Sequence, residues 1–205
     1  MRLILASASP RRAELLRAAG FEFEVVTANV DESVRDGEAP HQYVRRLAAE
    51  KSGYVVSGFS RTGEGLPKGG HYDRNDCIVL GADTSVVVDG AILGKPADDA
   101  DAAAMLRRLS GRTHEVMTGI SLRRGAYEIG RVEITRVDVV PLSDADIAWY
   151  VASGEGRDKA GAYAIQGLAS RFIPRIVGSY ANVVGLPVAA VEELLREISD
   201  TPRDR

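Results

Sequence analysis

Hydrophobic and polar residues near the start of the chain predict a strand, a tight turn and a helix. Residues 3–6 form an apolar run, and Leu and Ala then recur at helical spacing over 13–19. Ser9 is a favourable residue just before a helix, Pro10 fits its first position, and Gly20 fits the position past its end. The chain therefore opens with a strand and a helix joined by a short polar segment.

The remaining patterns predict an alternation of strands and helices. Asp89 and Gly90 between two apolar runs are a strong hairpin signal. We expect Trp149 in the core, and Pro174 to place the last strand near an edge of the sheet. Hairpins and crossovers in one chain imply an α/β fold with a mixed sheet. Strands are predicted at 21–26, 77–82, 85–88, 91–93, 113–122, 127–140 and 171–177, and helices at 40–56, 98–109, 143–153 and 188–198.

Length and composition favour one domain spanning residues 1–205, with one or two lobes. The 205 residues suffice to bury a core, and the apolar and charged contents, 45% and 27%, are ordinary for a globular protein. Residues 57–76 are rich in Gly and have no periodicity, so we expect a mobile surface insertion there. The charged tail at 199–205 is expected to fray.

Charge and cysteine content narrow the function classes. A net charge of −3 disfavours a broad nucleic-acid-binding face, so any cationic site must be local. The single Cys77 cannot support an intramolecular disulfide framework or a Cys-based zinc site. No apolar stretch approaches the length of a membrane span, and the N-terminus lacks the layout of a signal peptide. We expect a cytoplasmic protein with no membrane or nucleic-acid partner.

The first helix carries an unusual pair of charges. Arg11 and Arg12 fall in its first turn, where cations oppose the positive end of the helix dipole. Free backbone N–H groups, the serines of the turn and two guanidiniums would suit a polyanion such as a triphosphate. The alternative is that both arginines are simply solvated, and their spacing leaves the two interpretations open.

Other candidate residues follow predicted strands or lie in loops. Asp83 ends an apolar strand, where a carboxylate can be a general base, a metal ligand or merely part of a turn, and the short hairpin brings Lys95 near it. Lys51 falls on the apolar face of the second helix, where a lysine usually extends its ammonium to solvent. Lys159 and Gln166 offer a cation for a phosphate and an amide for a base edge.

Several of these stretches occur in a familiar order. Together they resemble the successive motifs of the Maf family of nucleoside triphosphate pyrophosphatases, and they span nearly the whole chain. The matching segments are 6–12, 81–84, 94–96, 109–114, 158–163, 165–167, 178–180 and 185–187.

The resemblance implies hydrolysis of a nucleoside triphosphate between its α and β phosphates, with Mg²⁺ or Mn²⁺ as the cofactor. Asp83 would then be the proton acceptor that activates water, and Glu32 and Asp83 would hold the metal. Cations and metal would stabilise the charge that develops on the leaving pyrophosphate. The phosphates would be bound by Ser7, Arg11, Arg12, Lys51 and Lys95.

Substrate choice is also implied by the resemblance. The family branch that hydrolyses dTTP and UTP is associated with Thr after the catalytic Asp and with an Ile-Gln-Gly motif, and Thr84 and Gln166 match both. Arg11 is the third position linked to the base. The chain departs from the common pattern at Ala8 and Ala164, where Gly is usual, which raises a question of backbone geometry at those turns.

The resemblance implies an elongated mixed β-sheet flanked by helices, with two lobes around a central cleft. One rival reading keeps the reaction but changes the substrate to methylated guanosine triphosphate. Another is a nucleotide-binding regulator of cell division without turnover. The presence of Asp83, Glu32 and Lys95 together favours catalysis, because triphosphate binding alone does not need a water-activating carboxylate. The oligomeric state stays open, with a homodimer as one option.

Overall fold

A computed structural model describes residues 2–58 and 77–200 of the chain. Short 3-10 turns occupy Ala160–Ala162 and Leu168–Phe172. The strands and helices are β1 (Arg2–Ala6), α1 (Pro10–Ala18), β2 (Phe23–Val25), α2 (Pro40–Gly58), β3 (Cys77–Val88), β4 (Ala91–Leu93), α3 (Asp99–Leu109), β5 (Thr113–Arg124), β6 (Tyr127–Asp138), α4 (Asp144–Ala152), β7 (Arg175–Val177), α5 (Tyr180–Val184) and α6 (Val188–Asp200).

The described strands form one mixed sheet in the order β2-β1-β3-β5-β6-β7, and β4 also pairs with β3. β1 lies parallel to both β2 and β3, while β4 on β3 and β7 on β6 are antiparallel. Positive φ angles at both Asp89 and Gly90 give the β3–β4 hairpin the turn its sequence predicts. The predicted α/β fold with a mixed sheet flanked by helices is confirmed.

The chain divides into two compact units, in agreement with the two predicted lobes. Unit 1 comprises the described residues of Met1–Asp83, Thr118–Glu133 and Gly185–Arg205. Unit 2 comprises Thr84–Met117 and Ile134–Val184. The strands β3, β5 and β6 each contribute residues to both units.

Unit 1 buries both faces of its parallel strands. On one face, α1 and α6 pack against alternate residues of β1 and β3, which include Leu5 and Leu80. On the other face, Ile4 and Val79 pack with Val55 of α2. Burial on both faces explains the nearly continuous apolar runs of these strands.

Unit 2 is organised around α3 and α4. Asp98 caps α3 by accepting from the backbone N–H of Asp101, and Ser143 with Asp146 forms a complete capping box at the start of α4. These caps agree with the predicted helix starts, because the two residues of each cap are three positions apart and can be recognised in the sequence alone.

Two expectations are wrong, one about where a strand ends and one about the burial of a side chain. Asp83 lies inside the continuous twelve-residue strand β3 and not at its end. Trp149 is 43% exposed, whereas its neighbour Tyr150 is buried. The reason is helical geometry. Ile147 and Tyr150 are three residues apart, so they lie on the same, buried face of α4. Trp149 therefore lies on the outer face, beneath the guanidinium of Arg171.

The expected elements also differ near the C-terminus. Of the predicted strand at 171–177, only Arg175–Val177 forms a strand, and it lies at the sheet edge as Pro174 indicated. The short helix α5 was not predicted. Ser199 and Asp200 belong to α6, whereas 201–205 lie outside the described residues, so the fraying expected at 199–205 stays a prediction.

The predicted insertion at 57–76 lies almost entirely outside the residues that the structure describes. Its first two residues complete α2, and 59–76 lie outside the described residues. Within the described ranges, no helix is long and apolar enough to cross a membrane.

Candidate active site

One lysine joins two carboxylates in unit 1. The ammonium Nζ of Lys51 lies 2.7 Å from Oδ1 of Asp83 and 2.6 Å from Oε1 of Glu32. Lys51 and Asp83 are buried, whereas 55% of the Glu32 side chain is exposed. The cluster therefore places a buried ion pair beneath a carboxylate that reaches solvent.

A close approach between α2 and β3 brings this pair together. A Cβ atom on Gly81 would lie 2.1 Å from the carbonyl oxygen of Ala48, so only glycine lets the helix lie this near the strand. Asp83 is two residues beyond Gly81 and shares its face of the strand, and Lys51 is one helical turn beyond Ala48. The contact between the two backbones thus sets Lys51 above Asp83.

A second set of contacts attaches the segment that carries Glu32 to α2. The Tyr43 hydroxyl donates to the Glu32 carbonyl over 2.9 Å, and Nη2 of Arg46 donates to the Ser33 carbonyl over 3.0 Å. Arg46 also binds both carboxylate oxygens of Glu38, which lowers the pKa of Glu38 to about 2. Glu32 is therefore held although its side chain faces solvent.

Burial dominates the electrostatics of Asp83. Loss of water around the carboxylate raises its pKa, and the nearby charges of Lys51 and Arg12 oppose that rise. A carboxylate with a raised pKa is a stronger base than an exposed one, which suits it to accept a proton from water.

The structure gives Arg12 partners that sequence reasoning missed. Its Nε donates to the Gly185 carbonyl over 2.9 Å, and its Nη1 donates to the Ala82 carbonyl over 2.8 Å and to Oγ of Ser7 over 3.1 Å. Arg12 is only 8% exposed, and burial lowers its pKa. The guanidinium therefore fastens the start of α1 to the strand residue before Asp83. Arg11, its neighbour, is half-buried.

The remaining predicted site residues belong to unit 2. Thr84 is half-buried and follows Asp83 directly, while Lys95 and Gln166 are exposed. The Lys159 ammonium donates to the Glu155 carbonyl over 2.7 Å and to Asp158 over 2.6 Å, so it holds a turn of its own loop. Its role as a phosphate ligand stays a prediction.

The two departures from the family pattern are compatible with the backbone. In the described residues the only non-glycine positions with positive φ are Asp89 and Ala162. Ala8 and Ala164 therefore occupy conformations open to any residue.

Comparison with known proteins decides the family. The model of the family described as Maf-like protein matches residues 2–198. The chain belongs to this family. It is 50% identical over 196 residues to the dTTP/UTP pyrophosphatase of Koribacter versatilis, covering 96% of this chain and 94% of the relative.

Two further Maf-like relatives carry the same name. The dTTP/UTP pyrophosphatase of Hahella chejuensis is 48% identical over 196 residues, covering 96% of this chain and 92% of the relative. That of Shewanella oneidensis is 48% identical over 202 residues, covering 96% and 98%.

The carboxylates of the Maf-like site suit a hard divalent cation. Within residues 2–58 and 77–200, no group of three or more His, Cys, Asp or Glu side chains could hold a metal by itself. Asp83 and Glu32 nevertheless share one ammonium, and Mg²⁺ is commonly held by one or two carboxylates together with substrate phosphates. The donor set therefore fits a metal that arrives with a triphosphate.

Proposed function

We propose that this chain hydrolyses dTTP and UTP to the monophosphate and pyrophosphate. The observation that carries the proposal is the buried Asp83 carboxylate paired with Lys51 and, through it, with Glu32. The names of the Maf-like relatives support the choice of substrate. Modified pyrimidine triphosphates belong to the same substrate class, and removal of such nucleotides in the cytoplasm would keep nucleotide pools clean.

Asp83 is the proton acceptor in this proposal. Its buried carboxylate takes a proton from the attacking water, and the positive charge of Lys51 favours the ionised form of Asp83 against the effect of burial, which raises its pKa. Glu32 and Asp83 would hold Mg²⁺ or Mn²⁺, which neutralises charge on the phosphates when bound. The candidates for phosphate binding are Ser7, Arg11, Arg12, Lys51, Lys95 and Lys159.

Base choice is assigned to Gln166, with Thr84 and Arg11. The Gln166 amide is exposed and can both donate to and accept from a base edge, as pairing with thymine or uracil requires. A site that hydrogen-bonds the correct base discriminates against a wrong base that leaves these polar groups unpaired in the complex.

The test is pyrophosphate release from dTTP, UTP, GTP and a methylated GTP, each with Mg²⁺ or Mn²⁺. We expect release from dTTP and UTP, and a ratio of dTTP to GTP turnover that falls in Gln166→Ala. Preferred release from methylated GTP would instead select the rival substrate. Nucleotide binding without release in every condition would select the regulatory protein.

A further inference from the structure

A tyrosine and a glutamate hold the segment that carries Gln166. Tyr150 of α4 is 1% exposed, and its hydroxyl donates to Oε2 of Glu155 over 2.7 Å. The same hydroxyl accepts from the backbone N–H of Ala164 over 3.0 Å. One buried hydroxyl thus connects α4, the Glu155 carboxylate and the start of the Gln166 segment.

The Glu155 carboxylate holds the other end of this segment. Its Oε1 accepts from the backbone N–H of Leu168 over 2.9 Å, and its Oε2 accepts from that of Ala169 over 3.4 Å. Gln166 is exposed at the middle of a segment whose two ends are bound to one Tyr150–Glu155 pair. Hydrogen bonds to an ionised acceptor are the stronger kind, so this attachment is well suited to fix a loop.

The glycine after Gln166 fits the same arrangement. The φ of Gly167 is −118°, which does not itself require glycine. A Cβ atom at this position would lie 1.8 Å from Oε1 of Glu155. The carboxylate occupies the space of a side chain at Gly167, so any larger residue would displace Glu155 from the backbone groups it binds.

We propose that the Tyr150–Glu155 pair is a positioning device for Gln166 and thereby sets the choice of base. The inference rests on the proposed function, in which Gln166 reads the base. Neither Tyr150 nor Glu155 needs to touch the nucleotide. Loss of the pair lets the segment relax, so the amide meets the base less often in its productive orientation.

The experiment is a double-mutant cycle between Tyr150→Phe and Gln166→Ala. The readout is the ratio of kcat/KM for dTTP to that for GTP. Tyr150→Phe removes both hydrogen bonds of the hydroxyl. The resulting misalignment of one hydrogen bond between the Gln166 amide and the base should lower this ratio about 5- to 10-fold, chiefly through KM for dTTP. In the Gln166→Ala background the same substitution should leave the ratio unchanged, because the pair acts only through the amide.

Two further variants guard against an effect of folding alone. Glu155→Gln keeps the side-chain shape but removes the charge, and it should lower the ratio as Tyr150→Phe does. Tyr127→Phe, at a tyrosine that is 41% exposed on β6, is the matched control and should leave the ratio unchanged. The melting temperature of each variant is measured alongside.

The outcomes separate the inference from the function on which it rests. If Gln166→Ala changes the ratio while Tyr150→Phe and Glu155→Gln do not, the positioning role is refuted and base reading stands. If Gln166→Ala leaves the ratio at the wild-type value, base reading by Gln166 fails, and the positioning role fails with it.

Discussion

A buried histidine should make folding stability depend on pH. His114 is 2% exposed, and its Nε2 lies 2.8 Å from the Tyr163 hydroxyl. No described residue bonds its Nδ1. Burial lowers the pKa of His114 from the ordinary 6.5 to about 4, although the charge of Asp138 acts in the opposite direction. The folded protein therefore holds this side chain neutral.

The size of the change in stability follows from the number of protons that the folded and unfolded states bind. Below the ordinary pKa of 6.5 the unfolded chain takes up a proton that the folded chain refuses until the pH reaches about 4. The unfolded state then binds more protons, so stability falls as the pH drops through this window. Between about pH 7.5 and about pH 5 this histidine alone should lower the free energy of unfolding by about 2 kcal/mol.

The perturbation is His114→Gln, which does not titrate and can still hydrogen-bond the Tyr163 hydroxyl. The assay is urea unfolding of both proteins at about pH 7.5 and about pH 5. From the higher pH to the lower, the free energy of unfolding should fall by about 2 kcal/mol more in the wild type than in the variant. Because every other titrating group is shared, parallel losses in the two proteins would refute the reasoning.

The remaining predictions separate structural from functional residues. Arg12→Ala leaves two buried carbonyl groups without their donor, so a urea titration should show a free energy of unfolding about 2–4 kcal/mol below that of the wild type. Arg11→Ala should keep near wild-type stability but lower kcat/KM for dTTP. Equal stability losses in the two variants would contradict this assignment. Gly81→Ala should prevent normal folding, as seen by circular dichroism, because its Cβ meets a backbone carbonyl at 2.1 Å. Gly94→Ala is its control, since a Cβ there meets nothing within 4 Å, and a well-folded Gly81→Ala would disprove the close approach.

Local signals in the sequence predict a large part of this fold. The Asp98 cap of α3, the capping box of α4, the Asp89–Gly90 turn and Pro10 at the start of α1 depend on residues a few positions apart, and the structure has all of them. The continuous strand through Asp83 was not predicted because Asp is a poor strand residue that usually signals a turn, although the Thr84 that follows it favours a strand.

The candidate site was predictable in its residue types but not in their partners. Arg12 binds carbonyls 70 and 173 residues away, and no local pattern could indicate either acceptor. Helical periodicity placed Lys51 on the apolar face of α2, but only the family resemblance made it more than a weak site candidate, because a lysine there usually extends its ammonium to solvent. For the Tyr150–Glu155 pair, the sequence offers only a weak signal, which is the acidic residue Glu155 in the turn that follows α4.

The most direct test of the central claim compares the wild type with Asp83→Asn. The amide keeps the size of the side chain but cannot accept a proton from water. Pyrophosphate release from dTTP and UTP should fall at least about 100-fold, in line with loss of a general base, while equilibrium binding of the nucleotides persists. Release at the wild-type rate by the variant would contradict the assignment of Asp83 as the proton acceptor.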